Sequence, residues 1–213
     1  MATILVIGAS RGIGLETVKA ALSAGHDVRA LARSADSIAI ADAQLHKITG
    51  SALTRGDVES ALVGVDAAIQ TIGVATAREL LFGTDLFSRA TRVLIDAMTA
   101  TGVRRLIAVT GAGAGNSRGR ISPLYDNVVF PLLLSRVYAD KDVAEEMITA
   151  SGLDWTIVRP VGLTNGPMTG RYDVLPEMKD WRGGFISRAN VADFLVKQVV
   201  DRSLIGKTPL LAG

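Results

Sequence analysis

Residues 8 to 14 read Gly-Ala-Ser-Arg-Gly-Ile-Gly, directly after an unbroken apolar run, Thr3 to Ile7. Directly after the loop, Leu15, Val18 and Leu22 recur at helical spacing, and Gly25 stands where a helix would stop. Few features constrain a chain as much as a glycine loop between a strand and a helix. The glycines let backbone N–H groups approach an anion at the positive end of the helix. With the strand before it and the helix after it, the loop reads as a dinucleotide pyrophosphate site. The loop glycines Gly8, Gly12 and Gly14 are therefore candidate cofactor-binding residues.

The rest of the chain alternates strands with helices. Strands are expected at Val28 to Ala32, Leu45 to Thr49, Ala67 to Ile72, Leu106 to Thr110 and Trp155 to Val158. Between them come helices opened by Asp57, spanning Phe87 to Ala100 and Asp140 to Ala150, and a last one N-capped by Ser187 with Val191, Phe194, Leu195 and Val199 inward. This rhythm predicts a single-domain α/β fold over residues 1–213, a doubly wound parallel sheet of the Rossmann kind. Two irregular segments break it, near 111–126 and 161–181, and both follow strands. Ligands of open α/β sheets bind outside the carboxyl ends of strands, where these segments begin.

Composition narrows the class. Hydrophobic residues make up 48% of the 213 and charged ones 21%, enough to build a core and too apolar for a disordered chain. No apolar run approaches the length of about 18 residues that spans a bilayer, so no membrane partner is expected. Met1 to Ile7 has no basic stretch before it and reads as a strand rather than a secretory signal. With no cysteine there is no disulfide framework, thiolate zinc site or thiol nucleophile, and a cytoplasmic setting is expected. A net charge of +2, one local basic cluster (Arg118 with Arg120) and 5% aromatics argue against a nucleic-acid partner. His26 and His46 have no third ligand in view, so no metal site is expected. Glu145 and Glu146, beside Asp142, read as a solvated helix face.

The second strand ends Leu31-Ala32-Arg33-Ser34, without the acid that holds a ribose 2′-hydroxyl in NAD sites about 20 residues after the loop. A guanidinium at Arg33 suits a 2′-phosphate through charge-assisted bonds, with Arg11 as a second cation, so NADP is the expected cofactor.

Gly8-x-x-x-Gly12-x-Gly14 resembles the loop of the short-chain dehydrogenase/reductase superfamily, where a basic residue before the second glycine accompanies NADP. Lys141-Asp-Val-Ala-Glu145 and Ser151-Gly-Leu-Asp-Trp-Thr-Ile-Val-Arg-Pro160 resemble its atypical branch, which includes the NmrA-like proteins and the biliverdin-IXβ/flavin reductases. The similarity runs from Ile4 to Leu211 and implies a Rossmann fold with bound NADP, its pyrophosphate and adenosine-phosphate end at the candidate binding residues Gly8, Ser10, Arg11, Ile13 and Arg33. It also implies that Ser51 and Ala52 lie at the adenine, in a place where relatives carry Gly-Asp-Val and this chain reads Gly50-Ser51-Ala52. By the same resemblance Gly73 lies beside the nicotinamide ribose, and Pro160, Val161, Gly162 and Leu163 pass the nicotinamide.

In short-chain dehydrogenases a serine ending the fifth strand polarises the substrate carbonyl, and a Tyr-x-x-x-Lys pair supplies the proton. Here Thr110 stands in the serine's place, Lys141 in the lysine's, and Val137 in the tyrosine's. Tyr138, one residue on, is expected to be rotated about 100° away. Tyr125, in the first irregular segment, is a weaker candidate acid. Two readings follow. One is an NADPH-dependent reductase of a small flavin-, tetrapyrrole- or quinone-like acceptor, with its proton from solvent and its pocket walled by residues drawn from Leu81, Phe82, Tyr125, Phe130, Leu163 and Trp181. The other is a non-catalytic NADP-binding sensor of the NmrA type. The missing tyrosine favours the sensor; Thr110 and Lys141 favour the reductase.

Overall fold

The computed structural model describes residues 1–74, 79, 83–117 and 135–213. Arg118, Arg120, Leu81, Phe82, Tyr125 and Phe130 lie outside the described residues. In chain order the elements are β1 (Thr3–Ile7), α1 (Gly12–Ser23), β2 (Asp27–Ala32), β3 (Leu45–Thr49), α2 (Arg55–Leu62), β4 (Ala67–Gln70), α3 (Leu86–Thr101), β5 (Arg105–Val109), α4 (Ser135–Ala150) and β6 (Asp154–Pro160). After these come β7 (Gly162–Thr164), β8 (Asp173–Leu175), β9 (Phe185–Ser187), α5 (Arg188–Val200) and β10 (Leu210–Ala212).

The main sheet runs β3-β2-β1-β4-β5-β6-β10-β8, parallel except for the antiparallel pairing of β8 with β10. Its first six strands follow the doubly wound order, with the reversal between β1 and β4. Why β1 is apolar from Ile4 onward is visible in the packing. Ile4 and Val6 join the layer holding Val18 of α1 and Val191 and Leu195 of α5. Leu5 and Ile7 face the opposite layer, with Leu62 of α2, Leu94 of α3 and Ile148 of α4. Both faces of the strand are buried, so alternation with polar residues is absent. Ser187 caps α5 as expected, its Oγ accepting from the Asn190 N–H at 3.1 Å.

The second irregular segment carries order that its sequence does not announce. β7 pairs in parallel with β9, forming a small separate sheet, and β8 closes the edge of the main one. Trp181, expected on a pocket wall, is instead core: its Nε1 donates to the Leu175 carbonyl at 2.9 Å, and the Arg159 guanidinium lies 5.5 Å from its ring centroid. Three-residue strands are too short to show a period, and a lone Trp flanked by polar residues gives no face. Helix α4 is in place by Ser135, five residues earlier than its expected start at Asp140. Among the described residues no helix is long and apolar enough to cross a membrane.

Candidate functional site

A cavity of about 1280 Å³ opens at the carboxyl ends of β1, β2, β4, β5 and β6. One end is built by the glycine loop. Helix α1 starts with no side-chain cap and no acidic residue in its first turn, so its positive end is left to whatever occupies the cavity. A Cβ on Gly12 would meet only Arg188 Nε, at 3.9 Å, leaving the cradle open for an anion to approach the backbone. Gly8 has a φ of +85°, a conformation that favours glycine. Gly14, expected as a binding residue, is not on the wall. A Cβ there would lie 2.1 Å from the Gly8 carbonyl oxygen and 2.6 Å from Thr71 Oγ1, so this glycine serves close helix–strand packing under the loop. Gly8, Ser10, Arg11, Gly12 and Ile13 do line the cavity. A dinucleotide pyrophosphate fits this arrangement.

Arg33 stands exposed on the wall past β2, near the loop's own Arg11. Among the described residues neither guanidinium has a hydrogen-bond or ion-pair partner. Ser34 Oγ donates to Ser10 Oγ at 3.0 Å, tying the end of β2 to the loop. Ser51 and Ala52 line the same end, and the Ser51 N–H donates to Asp57 Oδ2 at 2.7 Å. Asp57, in the first turn of α2, thus shapes the turn from which the expected acid is missing. Sequence reading overlooked Arg188. It lies 177 positions beyond Arg11, lines the cavity and is held by Asn165 Oδ1 at 2.7 Å. No local pattern could have placed it there.

The other end is built by β5, α4 and the segment after β6. Gly73, Thr110 and Lys141 line it, as do Pro160, Val161, Gly162 and Leu163. Two further walls, Phe87 and Phe185, come from α3 and β9; Phe185 is 72% exposed and packs over Gly162.

The tyrosine expectation is corrected here. Tyr138 lines the cavity, and a Cβ on Gly111 would stand 2.6 Å from its hydroxyl and 3.5 Å from Lys141 Nζ. Lys141 Nζ also lies 4.4 Å from the Tyr138 ring centroid. Residues three and four apart on a helix both share a face. Tyr138 and Val137 therefore straddle Lys141, and packing chooses between them. Val137 is buried against Phe87 and Ala144, which turns Tyr138 to the cavity.

The supposed solvated face of α4 is corrected as well. Glu145 is buried at 5% exposure, and Arg159 of β6 at 3%. Arg159 donates to both carboxylate oxygens, Nε to Oε1 at 3.1 Å and Nη2 to Oε2 at 2.5 Å. Thr110 Oγ1 donates to Glu145 Oε1 at 2.6 Å. That spends its single proton, so Thr110 does not polarise a carbonyl as the resemblance implied. Gly115 permits the ion pair: a Cβ there would fall 2.4 Å from Arg159 Nη2. Glu146 is exposed as expected, while Asp142 Oδ1 accepts from the Gly115 N–H at 2.7 Å. His26 is also structural, its Nδ1 accepting from the Ala2 N–H at 3.1 Å.

Lys141 Nζ donates to the Thr110 carbonyl at 2.6 Å. Burial pushes this ammonium down to about 8, against the opposing pull of Glu145. In the unfolded chain the lysine titrates at its ordinary 10.5. The burial penalty is thus fully present below pH 8 and relieved as pH rises from 8 to 10.5, where the unfolded state binds more protons. Lys141→Met should accordingly gain stability over wild type at pH 7, and part of that gain should vanish by pH 10. Paired denaturant titrations of the ligand-free proteins check this; a pH-independent difference would remove the cause assigned to the shift.

A family model described as NAD(P)H-binding matches residues 8–202. The chain belongs to that family. Among its relatives, YhfK of Bacillus subtilis (strain 168), described as an uncharacterized sugar epimerase, is 30% identical over 210 residues, covering 94% of this chain and 89% of the relative. The anaerobillin reductase ChuY of Escherichia coli O157:H7 superposes with a TM-score of 0.79 at 28% identity, over 99% of this chain and 96% of its own. A short-chain dehydrogenase/reductase of Veillonella parvula in complex with NADP gives a TM-score of 0.82 at 18% identity, over 100% and 94%, and shares the fold. As a member of the NAD(P)H-binding family, the protein has its glycine-loop cavity at the carboxyl ends of the sheet strands, where ligands of open α/β sheets bind.

Proposed function

We propose that this protein is an NADPH-dependent reductase that passes hydride to a planar conjugated acceptor of the flavin, tetrapyrrole or quinone kind. The observation that carries the reading is the cavity itself. One open space joins an uncapped helix terminus with Arg11 and Arg33 to a wall bearing Tyr138, Lys141 and Thr110. The cofactor, when bound, supplies a hydride. The chain's own residues do the rest. Gly8, Gly12 and Ile13 cradle the pyrophosphate, with Ser10 beside them, and Arg33 and Arg11 hold the 2′-phosphate. Ser51 and Ala52 flank the adenine, while Gly73 and the segment Pro160 to Leu163 border the nicotinamide. Lys141 holds the ribose and keeps positive charge near the Tyr138 hydroxyl, which is placed to deliver the proton.

The tetrapyrrole option is supported by the 28% identical anaerobillin reductase. The competing sensor reading drew on the absence of a tyrosine, and Tyr138 on the cavity wall favours the reductase instead.

NADPH consumption with FMN, FAD, a quinone and a dye acceptor tests the activity. The cofactor assignment has its own test. Each charge-assisted bond to the 2′-phosphate contributes about 1.5–3 kcal/mol, and about 1.4 kcal/mol is tenfold. Arg33→Ala should therefore weaken NADPH tenfold or more and leave NADH nearly unchanged. Equal losses for the two cofactors would overturn the assignment.

A further inference from the structure

Thr110 has one hydroxyl proton and two lone pairs. The proton points out of the cavity, to Glu145 Oε1 at 2.6 Å. Glu145 cannot donate it back, because Arg159 forks onto both of its oxygens in a buried ion pair. Arg159 is fixed in turn by Asn116 Oδ1, which accepts from its Nη1 at 2.6 Å. What remains of the Thr110 hydroxyl for a ligand is an acceptor. Beside it stand donors: Lys141 Nζ uses one of its three protons on the Thr110 carbonyl, and Tyr138 carries a hydroxyl.

We propose that this acceptor–donor edge selects substrates with a ring N–H next to a carbonyl, a lactam or cyclic imide such as flavins and linear tetrapyrroles carry, over quinones. The inference rests on the reductase reading and deepens it. The ring N–H donates to Thr110 Oγ1, and the adjacent carbonyl accepts from Lys141 or Tyr138. A quinone offers only carbonyl oxygen at that edge, which would face the threonine lone pairs and lose a water partner without replacement. Sites built to pair a ligand's N–H reject the analogue that lacks it more strongly than apolar pockets reject a change of size. Glu145 and Arg159 are positioning residues, acting through the direction in which they turn the threonine proton.

The test is binding, which does not require turnover. Fluorescence titrations of the protein loaded with oxidised NADP compare FMN with 3-methyl-FMN, which differ by the one N–H. Wild type and Thr110→Ser should favour FMN about tenfold or more. Thr110→Val, which keeps the shape and removes the acceptor, should bring the ratio to near one. Glu145→Gln, whose amide can donate to the threonine and free its proton, should narrow the ratio even where overall stability is retained. The wild-type ratio decides the matter if a variant fails to fold. Equal affinity of the two flavins in wild type, including no binding of either, would overturn the inference. A clear preference without NADPH oxidation would instead sink the reductase reading and leave the edge selectivity standing.

Discussion

Glu145→Ala is expected to destabilise the ligand-free protein by about 3–5 kcal/mol, the range for removing one partner of a buried ion pair. Among the described residues, Arg159 would keep its charge at 3% exposure with only Asn116 and the Trp181 face left to it. The loss is large against the total of about 5–15 kcal/mol typical of folded domains. Denaturant midpoints of wild type and variant measure it. A double replacement, Glu145→Leu with Arg159→Met, should recover most of the loss, because apolar residues of similar size avoid the desolvation of both charges. A loss below 1 kcal/mol for Glu145→Ala would mean that water reaches this pair.

Tyr138→Phe is expected to reduce turnover by about 10²–10⁴-fold, the contribution of a positioned general acid. NADPH binding should be unchanged, since only a hydroxyl is removed. The expectation follows from the Tyr138 hydroxyl at Gly111, beside Lys141 Nζ, on the wall where the acceptor would lie. Single-turnover rates with a flavin acceptor, alongside a cofactor titration, give the answer. A change of less than severalfold would return the proton to solvent and leave Tyr138 as a wall.

Both expectations concern α4, where sequence reading went furthest astray. Its residues carry mixed signals. Val137, Tyr138 and Lys141 lie within one turn, and spacing alone allows either aromatic or aliphatic neighbour to share the lysine's face. Glu145 has the sequence of a surface glutamate, with Glu146 next to it and Asp142 one turn before. Its partner Arg159 lies on β6, across the Gly152 turn, and nothing local pairs them. The glycine loop was legible for the opposite reason. Its signal is local: the strand that precedes it, the helix that follows and the glycines between are all set by backbone geometry within 20 residues. Gly14 within it serves packing, because the carbonyl that a Cβ there would meet belongs to Gly8 across the turn.

By itself the sequence determined the alternation that makes a doubly wound sheet, the position of the glycine loop, the cap at Ser187 and the arginine without an acid at the end of β2. These depend on propensity, period and spacing, which neighbours in the chain control. Tertiary structure alone decided that Tyr138 and not Val137 faces the cavity, that Arg188 reaches the glycine loop, that Trp181 is core, and that Glu145 turns the Thr110 proton away from the cavity. Each of these is a contact between separate elements, and its outcome depends on which side chain fills the space left when the layers close.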